Sequence, residues 1–600
     1  MDRRRIAALL GAGILAAACG TTTPASPTAP PATPGRTPSV TASPRPMATP
    51  IPTPNPSPTP RALRPGEDDW GRVPFANGLR DRYGSTAINA MAEAGGRIVA
   101  VGTGPAGAAA WVSTDGLNWR RAQDDPSFRG AEMSDVAALG STLVAVGMVA
   151  RANPAYDPDD SESDEPESLP EAAAWTSADG LRWRQSEIEQ AEGAWIDGVA
   201  VANGVLLAVG HRAAGDPWED TDDLPAGWMS RDGANWRQVP ALSEARCGTL
   251  GAGAPGFVFI CPDFVAVSRD GAEWRPGTFP SPLVDAYAWE DGSLGGIVSD
   301  IAWTGDHFIA VGGLADHEGH KASAWTSPDG TTWTALDVLP GVGAHGRPRF
   351  LSVVATADGR LLACSDVWDE SSGGFWSPEL WISDDGAAWS SVPTINATNP
   401  NFGPAPPYVW PALEFEGRLI AFGSAPDGTP GDGKFVGSYG DGSVTSAAVW
   451  TNPSPGLAEP SPGPAVCPGA RPVLIEVIDL SPKDRLRCFG RRSITLRAYV
   501  THWEIEYGFW EEKYGKPTWL TAGQVGSGLA RARPLASESA VGLELAVDPA
   551  SSIAARLPRG GWVWLTGRFD HPKAKTCPAK ARSHCRQAFV VTNVRKADAP

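Results

Sequence analysis

Ser113-Thr-Asp-Gly-Leu-Asn-Trp119 decides the fold, because the chain repeats its pattern at Ser177 to Trp183, Ser230 to Trp236, Ser268 to Trp274, Ser327 to Trp333 and Ser383 to Trp389. Copies of Ser-x-Asp-Gly-x-x-Trp spaced roughly 40 to 65 residues apart mark a radial β-array whose units bury their faces only against neighbours. Each unit reads as four strands. A second strand recurs as Ile98-Val-Ala-Val-Gly102, Leu143-Val-Ala-Val-Gly147, Leu206 to Gly210, Phe308 to Gly312, Leu361 to Cys364 and Leu419 to Gly423, with Phe257 to Cys261 as the least regular copy. Short Val- and Ile-rich runs without strict alternation suit sheets packed on both faces.

The turn chemistry explains the repeated residues. Asp115, Asp179, Asp232, Asp270, Asp329 and Asp385 can accept hydrogen bonds from nearby backbone amides. Gly116, Gly180, Gly233, Gly271, Gly330 and Gly386 supply a positive φ. Trp119, Trp183, Trp236, Trp274, Trp333 and Trp389 each provide an apolar plate. A corner repeated around a ring cannot converge on one substrate, so these aspartates read as scaffold.

The seventh unit ends at Ala447-Ala-Val-Trp450-Thr-Asn452 without an Asp-Gly turn or fourth strand. Glu67-Asp-Asp-Trp70-Gly-Arg-Val-Pro74 matches the fourth-strand segment Gly233 to Pro240 in its Trp, Val and Pro. The expectation is an all-β, seven-bladed β-propeller over 67–453, closed by an N-terminal strand that brings Trp70 to Trp450 and removes two exposed sheet edges.

These units resemble the Asp-box (BNR-type) repeats of sialidase-like and sortilin-like β-propellers. The usual box carries one more residue between Asp and Gly. The resemblance implies that the box is a structural corner opposite the binding face, in proteins of many functions.

At the N-terminus, Arg3-Arg-Arg5 precedes an apolar run from Ile6 to Ala18 and then Cys19-Gly20. About 13 residues is too short to cross a bilayer and suits a secretory signal. Residues 1–19 resemble a bacterial lipoprotein signal, which implies lipidation of Cys19 and attachment to the cell membrane on its extracytoplasmic face. Residues 20–66, rich in Thr, Pro, Ser and Ala, read as a disordered tether.

Residues 454–466 form a Pro-rich linker, and 467–600 a small disulfide-containing β-domain. Expected strands include Val473 to Ile478, Ser493 to Val500, Gly561 to Thr566 and Ala588 to Thr592; strand count and order resemble an OB-type barrel. Local pairing suits Cys247 with Cys261, Cys467 with Cys488 and Cys577 with Cys585, leaving Cys364 as a buried thiol.

The chain carries −18 overall; residues 1–66 contribute about +6, 454–466 about −1, and 467–600 hold 21 Lys and Arg against 12 Asp and Glu, so by difference 67–453 carry about −32. So acidic a ring repels nucleic acid and favours cations or basic partners. Binding-face candidates lie in the loops between second and third strands: Asp216 and Trp218, the run Asp316-His317-Glu318 with His320, and Asp366 with Trp368. Clustered carboxylates there could take Ca²⁺, although no run has a complete calcium-loop spacing, and otherwise no cofactor is expected. The sequence thus points to a monomeric, membrane-attached binding protein for an envelope protein or glycan. A sialidase-like glycosidase and an envelope-assembly component are the alternatives. The glycosidase would need an arginine trio and a Tyr activated by Glu, which residue spacing does not mark.

Overall fold

Apolar runs bounded by Gly and Asp form strands throughout the computed structural model. It describes residues 62–599 except 124, 155–167, 214–223, 243–247, 262–263, 281–294, 317–318, 337, 339–348, 370–374, 393–408, 427–444, 459–465, 505–523, 526–527, 537–541, 549–550, 559, 578 and 580–581. Among the described residues there are seven antiparallel sheets of four strands, one of them edged by a fifth strand, and a six-stranded sheet near the C-terminus. Sheet one comprises Ala87–Glu93, Ile98–Gly104, Gly107–Ser113 and Trp119–Arg121, and sheets two to seven follow in chain order. The first strand of each sheet packs on the first strand of the next, and that of sheet seven packs back on sheet one. This closed cycle of stacked sheets is a β-propeller.

The last sheet takes its outer strand from the start of the chain. Gly71–Arg72 pairs antiparallel with Thr445–Asn452, placing Gly71 opposite Thr451 and Arg72 opposite Trp450. Val73 N donates to Val449 O at 2.8 Å, and Trp70 and Trp450 are buried in one apolar cluster.

Size complementarity fills the sheets. In six of them an alanine of the second strand lies opposite a buried tryptophan of the third: Ala100 and Trp111, Ala145 and Trp175, Ala208 and Trp228, Ala310 and Trp325, Ala363 and Trp381, Ala421 and Trp450. Sheet four reverses the pair, with Phe259 opposite Ala266. A small residue facing a large one keeps interior volume nearly constant, which close packing demands.

In the C-terminal region Ile494–Glu504 pairs with both Gly560–Arg568 and Gly528–Arg533, so the row of strands returns on itself. Leu543–Ala546 and Phe589–Lys596 pair in parallel within that row. The expected strand at Val473 to Ile478 is instead the helix Leu474–Ile478. Leu474, Ile475, Val477 and Ile478 are all buried, a spacing that one helical face satisfies and a strand does not. Glu476 Oε2 accepts from Val473 N at 3.0 Å, and Arg485 donates to the carbonyls of Val477 and Ile478, which satisfies both ends. Disulfides join Cys467 to Cys488 and Cys577 to Cys585. Arg82 of the propeller reaches Asp479 at 2.6 Å. No helix among the described residues is long and apolar enough to cross a membrane.

Candidate functional site

The six repeated corners share one hydrogen-bond pattern. In each, the serine Oγ accepts from the glycine N–H, at 2.8 Å in the Ser177 corner and 2.9 Å in the other five. The aspartate Oδ1 accepts from the backbone two residues on, at 2.8–3.0 Å. The tryptophan Nε1 donates to the glycine carbonyl at 2.7–3.2 Å. Asn235 and backbone N–H groups hold the Asp232 carboxyl down to about 2. The serine hydroxyl, the aspartate Oδ1 and the tryptophan Nε1 are therefore satisfied inside each corner, while Gly233 O also accepts from Ser186 Oγ and Asp179 O from Arg97. The glycines have φ of +71° to +80°, and a Cβ on Gly180, Gly233 or Gly330 would meet a valine of the preceding sheet at 2.3–2.6 Å. Each of these three corners docks on its neighbour through that bare α-carbon.

At the other end of the sheets lie the turns between second and third strands, where antiparallel order puts them opposite the corners. Of the residues expected there, Asp216, Trp218, His317 and Glu318 lie outside the described residues, as do Cys19 and Cys247. Asp316 ends the strand Phe308–Asp316 and pairs with Gly319, His320 pairs with Ala315, Asp366 with Arg349 and Pro378, and Trp368 with Trp376. Four candidates are thus strand positions rather than loop positions. Cys261 is buried with its Sγ facing Gly248, and Cys364 is buried 3.3 Å from Ser352 Oγ.

The first strands, which surround the axis, carry chemistry that motif reading passes over. Six of the seven contain a bulge, for example between Ile88 and Ala90, Met133 and Asp135, Ile196 and Gly198, and Val298 and Asp300. The glycine ending each Val-Gly pair explains the bulge locally. A Cβ on Gly102, Gly147 or Gly312 would fall 1.9–2.1 Å from the carbonyl oxygen of the facing strand.

The bulges present acidic side chains to the axis. Asp135 accepts from Val136 N at 2.7 Å and from Val199 N of sheet three at 2.8 Å. Asp300 repeats this arrangement with Ile301 N at 2.7 Å and Val353 N of sheet six at 2.8 Å. Burial outweighs these bonds and pushes Asp135 up to about 7 and Asp300 up to about 6, with Asp300 adding to the rise at Asp135. Both residues keep some exposed surface.

Nearer the turns, Asn89 Nδ2 donates to Met133 O at 2.9 Å and lies 3.4 Å from Glu132 Oε1. Burial, with help from Asp197, raises the Glu132 carboxyl. Asp197 Oδ2 is 2.7 Å from His211 Nδ1, and the His211 ring lies 5.6 Å from that of Trp195. This cluster is rich in hydrogen-bond acceptors and acidic side chains, which suits a cationic or hydroxyl-rich ligand. A repeated Ser-Asp followed by a β-branched residue and Ala, at Ser134 to Ala137 and Ser299 to Ala302, is the sequence signal that marks two of these residues.

Glu379 stands apart. The equivalent third-strand position holds Ala109, Ala173, Ala226, Ser323 and Ala448 in other sheets, facing Gly102, Gly147, Gly210, Gly312 and Gly423. In sheet six Glu379 faces Ser365, is 8% exposed, and its Oε2 has no hydrogen-bond partner. Burial pushes its carboxyl up to about 7. Among the described residues no three His, Cys, Asp or Glu side chains are grouped to hold a metal ion.

No protein-family model and no curated protein matches the chain. Solved structures of similar chain path include a protein of unknown function from Dyadobacter fermentans (13% identity, 64% of this chain and 99% of that one, TM-score 0.36). Others are an α-L-arabinofuranosidase from Fusarium graminearum (13%, 63% and 97%, 0.34) and a Trypanosoma rangeli sialidase mutant displaying trans-sialidase activity (13%, 65% and 59%, 0.30).

Proposed function

We propose that this chain is a membrane-anchored, extracytoplasmic binding protein whose seven-bladed propeller takes a protein or glycan ligand at the axial mouth on the turn side. The observation carrying this reading is the gathering of Asn89, Glu132 and Asp197 by three successive bulged first strands, with His211 on the strand paired beside Asp197. The corner carboxylates and the Asp135 and Asp300 carboxylates serve the backbone, which suits a rigid frame. In this reading residues 1–19 are a lipoprotein signal, 20–66 a tether from Cys19, and 467–600 an OB-type barrel behind a linker at 454–466. The returning strand row with one parallel pair supports the barrel. Calcium is a proposed ligand of the acidic loops.

The test is a glycan and protein array probed with a soluble fragment from about Gly66, wild type and Glu132→Gln/Asp197→Asn. Binding lost in the double variant supports the axial mouth; equal binding by both refutes it. Metabolic labelling with a fatty-acid analogue, lost in Cys19→Ala, tests the anchor.

Glu379 favours a second reading, a glycoside hydrolase, because a buried carboxyl near neutrality can donate a proton. Release of aglycone from aryl sialosides or arabinofuranosides, abolished in Glu379→Gln, would establish it.

A further inference from the structure

We infer that the outer face of the C-terminal sheet binds an acidic polysaccharide, with Arg497 and Arg595 meeting its carboxylates beside the indole plates of Trp562 and Trp564. The inference concerns a surface separate from the propeller and stands independently of the axial reading.

Alternation along the strands makes this face. Ile494, Leu496, Ala498, Val563, Leu565, Val591 and Val594 are buried in the core. The opposite side carries register rows: Thr495 beside Thr566, and Arg497 beside Trp564, which in turn lies beside Arg595. Trp562 is two residues before Trp564 on the same strand. Arg497 lies 5.6 Å from the Trp562 ring centre and 6.0 Å from that of Trp564, so its guanidinium is held between two π-faces. Trp564 is 40% exposed, a large apolar plate open to solvent.

The cations on this face await an anion. Arg497 donates one N–H to Asp598 O and its Nε is buried without a hydrogen-bond partner, so it fixes a positive charge under the indoles, and neither Arg497 nor Arg595 has a carboxylate partner among the described residues. The planar guanidinium of Arg595 favours carboxylate through two parallel hydrogen bonds, and Arg497 adds its charge. Flat indoles suit the apolar face of a sugar ring, and the paired hydroxyls of Thr495 and Thr566, 2.9 Å apart, suit its hydroxyl groups. Residues 467–600 carry net positive charge while the chain as a whole carries −18. A ligand with one carboxylate per sugar is repelled less by the acidic ring than nucleic acid, with a charge every ~1.7 Å of duplex. The threonines at the end of the ladder leave too little aliphatic surface for insertion into a bilayer.

The experiment is affinity electrophoresis and calorimetry of the full chain in detergent micelles with polygalacturonate, using neutral galactan, single-stranded DNA and phosphatidylglycerol vesicles as competitors. Trp564→Ala and Arg497→Lys are the variants, each checked by thermal melting. The expected result is retention by polygalacturonate alone, weakened about tenfold or more by Trp564→Ala at an unchanged melting temperature. Arg497→Lys keeps the charge and loses the flat guanidinium stacked on the two indoles, and is expected to weaken binding several-fold. Absence of retention, retention equal in wild type and Trp564→Ala, or stronger binding to DNA or vesicles overturns the inference.

Discussion

Replacing Glu379 by Gln tests whether a lone carboxyl inside a packed sheet destabilises the propeller as pH rises. The folded-state value is about 7 against an ordinary 4.5. Below 4.5 both folded and unfolded chains hold the proton, and the group is silent. Between 4.5 and 7 the unfolded chain ionises while the folded one does not, so stability falls with pH. Above about 7 the whole penalty is present, about 3 kcal/mol at 1.36 kcal/mol per unit. The glutamine cannot ionise, and its unsatisfied amide adds a cost of about 1–3 kcal/mol that does not change with pH. The comparison is therefore a double difference: wild type minus Glu379→Gln, at pH 8 minus pH 4.5. For about 390 residues unfolding with ~0.8 kcal/mol/K of entropy, the variant is expected to gain about 4 °C relative to wild type between the two pH values. Calorimetric melting of the fragment from about Gly66 reads this. Parallel melting curves across that range would refute the reasoning, since they would mean Glu379 ionises freely in the folded protein.

Two glycine substitutions separate backbone strain from docking: Gly271→Ala meets nothing closer than 3.5 Å at φ +77°, whereas Gly330→Ala at φ +80° drives its Cβ to 2.3 Å from Val258. Melting is expected to show about 1–2 kcal/mol lost in the first and clearly more in the second. Asp135→Ala leaves the N–H groups of Val136 and Val199 without their acceptor and is expected to cost about 2–4 kcal/mol at pH 5, less at pH 8 where the native carboxyl carries its own burial penalty. In sheet four Phe259→Ala is expected to cost about 3–5 kcal/mol, and adding Ala266→Trp is expected to recover part of it by restoring the pairing of the other sheets.

The repeat made the strands and corners legible because Asp, Gly and Trp are demanded locally: a carboxylate for amides two and three residues on, a positive φ, and an indole N–H aimed at a carbonyl three residues back. Nothing comparable marks Glu132 or His211, whose meaning arises only when neighbouring sheets bring a bulged strand beside the Asp197–His211 pair. Glu379 was legible in principle, as an acid where five other sheets carry Ala or Ser, but only once register fixed which residues correspond. The segment from Val473 misled because six apolar-rich residues serve a short helix as well as a strand, and the carbonyl contacts of Arg485 lie outside that window.

The seventh sheet is assembled from two distant pieces of chain, and this has a mechanical outcome. Asn452 Nδ2 holds Gly66 O at 2.7 Å, Trp70 Nε1 holds Glu67 O at 3.0 Å, and Gly71 lies so near Ser454 that a Cβ there would be 2.1 Å from its hydroxyl. The incoming and outgoing segments therefore leave the wheel side by side. Tension between the chain's first residues and its C-terminal domain would cross a single seam, sparing the other six sheets, so a pulled molecule should yield by unzipping a two-residue strand before any corner breaks.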